Sequence, residues 1–514
     1  MEIKTEKSFI RLSFPFDKEL VRLCKLAGGV WSKTKRDWRF ADNYMNRLCL
    51  NRAFPGLIPC VKDNSVKELT IPSFLMDHQK SALRASVKND RRGFFHDTGL
   101  GKTITTIEIY RHHQAKTLVV CPLSLIDGAW FEEIRNRYPD INAGNLWIAK
   151  KKGAAALNES LKKELCVINY ESFRTIDKQL AGAGFEMVIL DESARIRSPK
   201  SITAKKIIEF CDNVQYVYEL SGVPAPNSLL EYWTQIRILD PMLWGKSFYK
   251  FRTKFFYPFG YGGYTWEVKP EFKDKIMEDI KSVAEYVNKE DVLDLPERTE
   301  SLRIFQLSPT ERKHYNDIRR ELITILESGE AITAPNAVTA IMKLRQVSSG
   351  FLLDEDKFYD LGDSKLTELL TLIEDIGKKQ VIIWTNFQHE ARVIWDALTE
   401  RGLSSDILNG TISEKQKQAT LSEFKEGKLQ YIICHPKSVG FGHTLTNCSE
   451  AIYYSSSYSY EDLYQSKDRI YRYGQKNKCS YYFLIADKTI DSVILKAIQK
   501  KGSTGQAILD YLKK

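Results

Sequence analysis

Three groups of residues in this sequence have the types and spacing for chemistry on a nucleoside triphosphate. The first is Asp97-Thr98-Gly99-Leu100-Gly101-Lys102-Thr103. Glycines at 99 and 101 let a turn bend its backbone N–H groups inward, which at a helix N-terminus makes a cradle for phosphate oxygens. Asp97, Thr98, Gly99, Leu100 and Gly101 would line that cradle, Lys102 would reach the β- and γ-phosphates, and the Thr103 hydroxyl would ligate Mg²⁺. The strict pattern G-x-x-x-x-G-K-[ST] fails at one position, because its first glycine falls on His96. The second group is the pair Asp191-Glu192. Two adjacent acids can divide the work, Asp191 holding the magnesium hydration shell and Glu192 orienting or deprotonating the attacking water. The third is Arg469 with Arg472, three apart, so that on a helix they share a face and point into one cleft. Their permanently charged, fork-shaped guanidinium groups match the spread charge of a transferring γ-phosphoryl group.

These residues need elements to hold them. Gly93 to Phe95 reads as a buried strand before the glycine turn, and Ile104 to Tyr110 as an amphipathic helix after it. Met187-Val188-Ile189-Leu190 reads as a buried strand that delivers Asp191-Glu192 to the carboxyl edge of a sheet, where ligands of open α/β sheets bind. Leu118 to Pro122 is a further buried strand, ending at Ser124, whose hydroxyl and neighbouring N–H groups suit a nucleic-acid phosphate. Upstream of the glycines, Gln79 carries an amide that both donates and accepts, as reading an adenine edge requires. Leu220-Ser221-Gly222-Val223-Pro224 is a strand-to-turn segment suited to coupling nucleotide state to the second half of the chain. That half repeats the α/β rhythm: a strand over Gln380 to Asn386, a helix over Glu390 to Leu398, a strand over Tyr431 to Cys434. Between the halves lies an aromatic-rich stretch, 241 to 300, in which Phe255 to Trp266 forms a hairpin about Gly262-Gly263.

At 514 residues the chain exceeds one ordinary core, and 43% hydrophobic with 11% aromatic residues is a globular composition. The net charge of +10 favours a polyanionic partner. Residues 1 to 70 hold 14 Lys and Arg against 8 Asp and Glu, so most of the excess sits in the first seventh of the chain. Within it, residues 8 to 52 read as a small α/β unit: a strand over Ser8 to Phe14, a helix capped by Asp17 and stopped at Gly28-Gly29, then a hairpin from Val30-Trp31 to Trp38-Arg39-Phe40. Both indoles are expected in the core, and Lys33, Lys35, Arg36 and Arg39 on nucleic-acid phosphates. Residues 53 to 70, with Pro55 and Pro59, read as a linker. The nine cysteines are scattered and never spaced C-x-x-C, which supports neither a zinc site nor a disulfide framework and fits a reducing compartment. No apolar run approaches the roughly 18 residues of a membrane span. The expectation is a cytoplasmic monomer of a bacterial or virus-infected cell, with a nuclear setting as the secondary alternative and no membrane partner.

The motifs fall in a known order. Asp97 to Thr103, Asp191-Glu192-Ser193-Ala194 and Ser221-Gly222-Val223-Pro224 resemble motifs I, II and III of superfamily-two helicases. Glu231-Tyr232-Trp233 through Leu239-Asp240-Pro241 to Phe248-Tyr249-Lys250-Phe251-Arg252 is similar to the Swi/Snf-type branch, and Gln465 to Gln475 matches its motif VI, Q-x-x-D-R-x-x-R-x-G-Q. Ser438 to Leu445 resembles motif V, whose glycines, Gly442 among them, allow close backbone approach to phosphate. Ala194 stands where the family's D-E-x-H has His, which puts the usual contact to motif III in doubt. Gly28-Gly29-Val30-Trp31 followed by Lys33 to Phe40 resembles the HARP domains of annealing helicases. The resemblance implies two RecA-like α/β lobes with parallel sheets covered by helices, a helical insertion between them and a small α+β N-terminal domain. It also implies ATP and Mg²⁺ as cofactors, duplex or forked DNA as partner, and nucleic-acid contacts from Thr385 and Ser438. The expected boundaries are 1–70 for the recognition module and linker, 71–240 for lobe 1, 241–360 for the insertion and connector, and 361–514 for lobe 2 with a C-terminal helix. The implied activity is a DNA-dependent ATPase that translocates on duplex DNA and remodels or re-anneals forks. A strand-separating DNA or RNA helicase and an ATP-gated nucleic-acid clamp with little hydrolysis are the alternatives.

Overall fold

Short, mostly apolar strands that alternate with helices build the two main sheets of this chain. The computed structural model describes residues 1–6, 8–56, 68–259, 265–327, 334–354, 357–438 and 444–499. It divides into two units, Met1–Val292 and Leu293–Lys514.

Unit 1 opens with β1 (Glu2–Glu6), β2 (Phe9–Ser13), β3 (Val30–Ser32) and β4 (Asp37–Ala41), an antiparallel sheet in the order β1-β2-β4-β3. Helix α1 (Lys18–Leu26) starts where the Asp17 side chain accepts from the N–H groups of Glu19 and Leu20. Trp31 and Trp38 face each other across β3 and β4 with ring centroids 5.5 Å apart. Only Trp38 is buried with Ile10, Leu12 and Phe40; Trp31 is exposed, a departure from the expectation that both rings are core. Helix α2 (Tyr44–Ala53) docks this sheet on the rest of unit 1. Its Tyr44 hydroxyl donates to Asp90 (2.8 Å), the Met45 N–H to Asp212 O (3.0 Å), and Lys246 donates to Asn46 Oδ1.

The main sheet of unit 1 is parallel throughout. Its strands are β5 (Arg91–His96), β6 (Thr117–Cys121), β7 (Ala143–Asn145), β8 (Leu165–Asn169), β9 (Met187–Asp191), β10 (Tyr216–Leu220) and β13 (Ala284–Val287), in the order β13-β5-β10-β9-β6-β8-β7. Every residue of β6, β8, β9 and β10 is buried, as strands covered by helices on both faces require. Helices α3 (Asp77–Lys88) and α4 (Lys102–His113) flank β5 in sequence. A separate hairpin, β11 (Phe256–Phe259) with β12 (Thr265–Val268), has the expected arms, while its Gly262-Gly263 turn lies outside the described residues.

Unit 2 is built on a second parallel sheet, order β14-β21-β20-β17-β19-β18. Its strands are β14 (Arg298–Phe305), β17 (Val381–Trp384), β18 (Ser405–Leu408), β19 (Tyr431–Cys434), β20 (Glu450–Tyr453) and β21 (Cys479–Ala486). The hairpin β15 (Phe351–Asp354) with β16 (Lys357–Asp360) stands apart from it. The 241–360 stretch, expected as an insertion and connector, divides between the units. β13 pairs with β5 in one sheet and β14 with β21 in the other, so the change of unit falls after Val292. The helix Ile490–Gln499 closes the described chain of unit 2. Among the described residues no helix is long and apolar enough to cross a membrane.

Unit 2 is locked by a buried ion pair. Lys365, 1% exposed, donates to Asp491 Oδ2 (3.0 Å), and the Ser348 hydroxyl donates to Asp491 Oδ1 (3.0 Å). Asp491→Ala strands the ammonium without its counter-charge. The expected loss is about 3–5 kcal/mol in the denaturation transition of unit 2, with the transition of unit 1 unmoved.

Candidate active site

The carboxyl edge of the unit 1 sheet gathers the first two groups of residues. β5 ends at His96, the chain turns through Gly99 (φ +82) and Gly101 (φ +70), and α4 begins at Lys102. Both glycines lie in the left-handed region that side chains resist. A Cβ on Gly101 would also run into the Gln79 amide nitrogen. His96 shows why the first glycine of the pattern is dispensable. It is the last residue of a strand, outside the positive-φ positions, so a side chain costs its backbone nothing. Its ring packs near Phe94 and His78, and its Nε2 has no hydrogen-bond partner. Burial, with the nearby Lys102 and His78 charges adding to it, pushes the imidazole pKa down to about 3, so this ring is neutral.

Neighbouring side chains hold the loop from outside. Leu100 is buried, and its carbonyl accepts from His78 Nε2 (3.0 Å) and Gln79 Nε2 (3.1 Å). Gln79 Oε1 accepts from the Met76 N–H (2.9 Å), so both ends of the expected adenine reader hold backbone. The Asp97 carboxylate accepts from the Lys289 N–H (3.0 Å), and the Asp97 N–H donates to Val287 O (2.9 Å). Asp97 therefore ties the loop to the end of β13. The Lys102 ammonium donates to the carbonyls of His96 (2.8 Å) and Asp97 (3.1 Å). The Thr98 hydroxyl is buried without a partner, and Thr103 is half-buried in the first turn of α4.

Asp191 ends β9 with 4% exposure. Its Oδ2 accepts from the Trp130 indole N–H (2.9 Å), and its carbonyl accepts from the Tyr170 hydroxyl (2.8 Å). Burial pushes the Asp191 carboxyl above the usual range, opposed first by the Trp130 bond and then by the Lys102 charge. Trp130 comes from a π-helical turn, Ile126–Phe131, a form frequent at functional sites. That turn begins two residues after the exposed Ser124. Glu192 is also buried and takes φ +53, a conformation costing about 1–3 kcal/mol for a residue with a side chain. A buried acid beside a lysine, an unpartnered Thr98 hydroxyl and a glycine turn suit a magnesium-bound triphosphate, with Thr103 and Asp191 as the metal-facing residues.

Sequence reasoning missed three members of this edge. Trp130 is one. Gln235, wholly buried on the helix Tyr232–Leu239, accepts from the Ser193 hydroxyl (2.9 Å) and donates to Pro224 O (2.8 Å). Glu219, wholly buried in β10, has both carboxyl oxygens unpartnered: the Ser193 hydroxyl lies within its reach but donates to Gln235. Each meets partners distant in sequence, and no local spacing announces such contacts. An acid inside an apolar strand was the available signal for Glu219.

In unit 2, the helix Tyr460–Lys467 stops before the arginines, which corrects the expectation of a shared helical face. The Lys467 carbonyl accepts from the Tyr481 hydroxyl and the Ile470 carbonyl from the Gln475 amide, and Gly474 takes φ +94, so the chain turns instead of continuing the helix. Arg469 is buried; Arg472 is half-buried, donating to Thr444 Oγ1 (2.9 Å) with Asp468 at 3.7 Å. Thr385 is 2% exposed at the end of β17, its N–H donating to Cys434 O, and so presents no surface for a direct nucleic-acid contact. Ser438 is half-buried, and Gly442 lies outside the described residues. Lys33, Lys35, Arg36 and Arg39 are all exposed, with the Arg39 guanidinium stacked 3.3 Å from the Phe9 ring centroid.

Residues 78–350 match the SNF2-related domain, and residues 364–474 match the helicase conserved C-terminal domain. The chain is 25% identical over 464 residues to a SWI/SNF-related matrix-associated actin-dependent regulator of chromatin subfamily A-like protein 1 homolog of Caenorhabditis elegans, covering 88% of this chain and 63% of that protein. It is 25% identical over 435 residues to the DNA repair and recombination protein RDH54 of Saccharomyces cerevisiae, covering 77% and 46%. It thus spans less than two thirds of either relative. A solved Sulfolobus solfataricus SWI2/SNF2 ATPase core in complex with dsDNA aligns at TM-score 0.42 and 22% identity, over 84% of this chain and 93% of that one.

Burial pushes the Glu219 pKa from 4.5 up to about 8. Between these values the unfolded chain gives up the proton that the folded chain keeps, so this group's stabilising contribution, complete below pH 4.5, is lost as pH rises to about 8. The slope is at most about 1.4 kcal/mol per pH unit. Glu219→Gln is expected to flatten the pH dependence of unit 1 stability across that window, measured by chemical denaturation at its two ends.

Proposed function

The chain belongs to the SNF2-related domain family, and on that premise we propose that it is a DNA-dependent ATPase that translocates on duplex DNA and remodels or re-anneals forked or branched DNA. The observation that carries this reading is the Lys102 ammonium resting on the His96 and Asp97 carbonyls beside the buried Asp191. A cation so held is ready to exchange neutral carbonyl oxygens for charged phosphate oxygens, which bind it more strongly. The names of the relatives, a chromatin regulator and a DNA repair and recombination protein, support DNA as the polymer.

In this reading the Gly99–Gly101 turn offers its backbone N–H groups to the ATP phosphates, and Thr103 with Asp191 faces the magnesium ion. That ion would draw charge from the β- and γ-phosphate oxygens. Glu192, fixed by its left-handed backbone, orients the attacking water. Arg469 and Arg472 from unit 2 neutralise the charge on the departing γ-phosphoryl group, a role that elsewhere contributes about 10³–10⁵ in rate. Hydrolysis then draws on residues of both units, and a bound DNA duplex raises turnover. The exposed Ser124 and the half-buried Ser438 supply phosphate contacts. The basic turn with Lys33, Lys35, Arg36 and Arg39 supplies selectivity for forks, and the docking of α2 on unit 1 ties that turn to the motor.

ATP turnover by the full chain is expected to rise on adding duplex or forked DNA, and an equal rate without DNA contradicts the proposal. Lys102→Ala and Arg472→Ala are each expected to abolish that turnover while DNA affinity stays within a few-fold. Replacing Lys33, Lys35, Arg36 and Arg39 by Ala is expected to lower affinity for forks more than basal turnover. The slope of log affinity against log salt should become shallower by about 0.9 for each phosphate contact removed.

A further inference from the structure

The acid loop and the Ser221–Pro224 turn are joined by a single side chain that neither motif contains. Ser193, directly after the acid pair, is wholly buried and donates to Gln235 Oε1 (2.9 Å); Gln235 Nε2 donates to Pro224 O (2.8 Å). The orientation of this amide follows from its partners: a carbonyl only accepts, so the nitrogen must face Pro224, and the oxygen is left for the hydroxyl. The turn reached by Gln235 in turn lies on the phosphate loop. A Cβ built on Gly222 would stand 3.0 Å from Thr98 Cγ2 and 3.4 Å from the Thr98 nitrogen. The same helix holds the far end of the acid loop, because the Thr234 hydroxyl donates to Arg197 O (3.3 Å). Ala194, next in the acid loop, is buried and has no polar group to offer. The other buried polar groups at this place, the Glu219 carboxyl and the Ser221 hydroxyl, have no hydrogen-bond partner.

We propose that Gln235 is a positioning residue for hydrolysis: through Ser193 and Pro224 it fixes the setting of the Asp191-Glu192 pair against the Ser221–Pro224 turn. The inference rests on the ATPase reading. The hydrogen bonds of the Gln235 amide go to Ser193 and Pro224, not to the acids themselves. Its effect is on where Glu192 stands when the phosphate loop is filled, so its loss lowers the rate of the chemical step and leaves nucleotide binding alone.

The test compares wild type, Gln235→Met, Ser193→Ala and the double variant in the full chain. The readouts are ATP turnover at saturating DNA and the affinity for a fluorescent ATP analogue. Each single variant is expected to lose at least tenfold in kcat, with KM for ATP and analogue affinity within about twofold of wild type. The double variant should be no slower than the worse single, because both changes cut one bridge. Losses that multiply in the double variant, unchanged kcat in both singles, or analogue affinity falling in step with kcat each overturn the proposal. If Gln235→Met fails to fold, Ser193→Ala still decides by its kcat at unchanged affinity. A wild-type protein that binds the analogue but shows no DNA-stimulated turnover overturns the ATPase reading itself. Normal wild-type turnover with undiminished variants overturns the bridge alone.

Discussion

A lysine ammonium resting on two backbone carbonyls, next to a carboxyl group that burial has pushed towards its neutral form, is the constraint on which the chemistry of unit 1 depends. Burial leaves the Asp191 carboxyl short of solvation and the Lys102 ammonium holds only neutral carbonyl oxygens, so a divalent cation and an anionic phosphate would give each a charged partner. The surrounding structure keeps that tension from relaxing. His78 and Gln79 hold the Leu100 carbonyl, Asp97 grips the backbone of Lys289, and the Trp130 indole fixes one oxygen of Asp191. The turn is thus set by packing and hydrogen bonds that do not involve a ligand, as preorganised electrostatic sites require.

The same logic reaches the polymer side of unit 1. Ser124 stands two residues before the π-helical turn that carries Trp130, whose indole holds the Asp191 carboxyl, so the exposed serine and the tryptophan are six residues apart in one short piece of chain. The antiparallel N-terminal sheet, docked through α2, leaves its basic turn exposed while its core closes around Trp38 and Phe40. In unit 2, Arg469 and Arg472 lie in a turn whose backbone carbonyls at Lys467 and Ile470 are held by Tyr481 and Gln475.

Buried parallel strands read as unbroken apolar runs, and this made β6, β9, β17 and β19, and with them the two-sheet plan and the place of Asp191-Glu192, legible in the sequence, while β5 was legible only over Gly93 to Phe95. The glycine turn and its lysine were legible for a different reason, since positive φ at Gly99 and Gly101 admits few other residues. Edge strands were harder. β13 and β14 mix exposed and buried residues, carry no continuous run, and decide on which side of Val292 the chain changes unit. The stop of the helix at Lys467 was hidden because it depends on side chains from β21 and from beyond Gly474. Trp130 and Gln235 were hidden likewise, their partners being 61 and 42 residues away. His96 looked like a flaw in the phosphate-loop pattern until its extended backbone showed that no glycine is needed there.

The most direct measurement is a structure of the chain with magnesium and a non-hydrolysable ATP analogue. The expected result is that Lys102 leaves the carbonyls of His96 and Asp97 for the β- and γ-phosphate oxygens, with Thr103 and Asp191 facing the metal. An analogue bound elsewhere, with the Lys102 ammonium still on those two carbonyls, would contradict it.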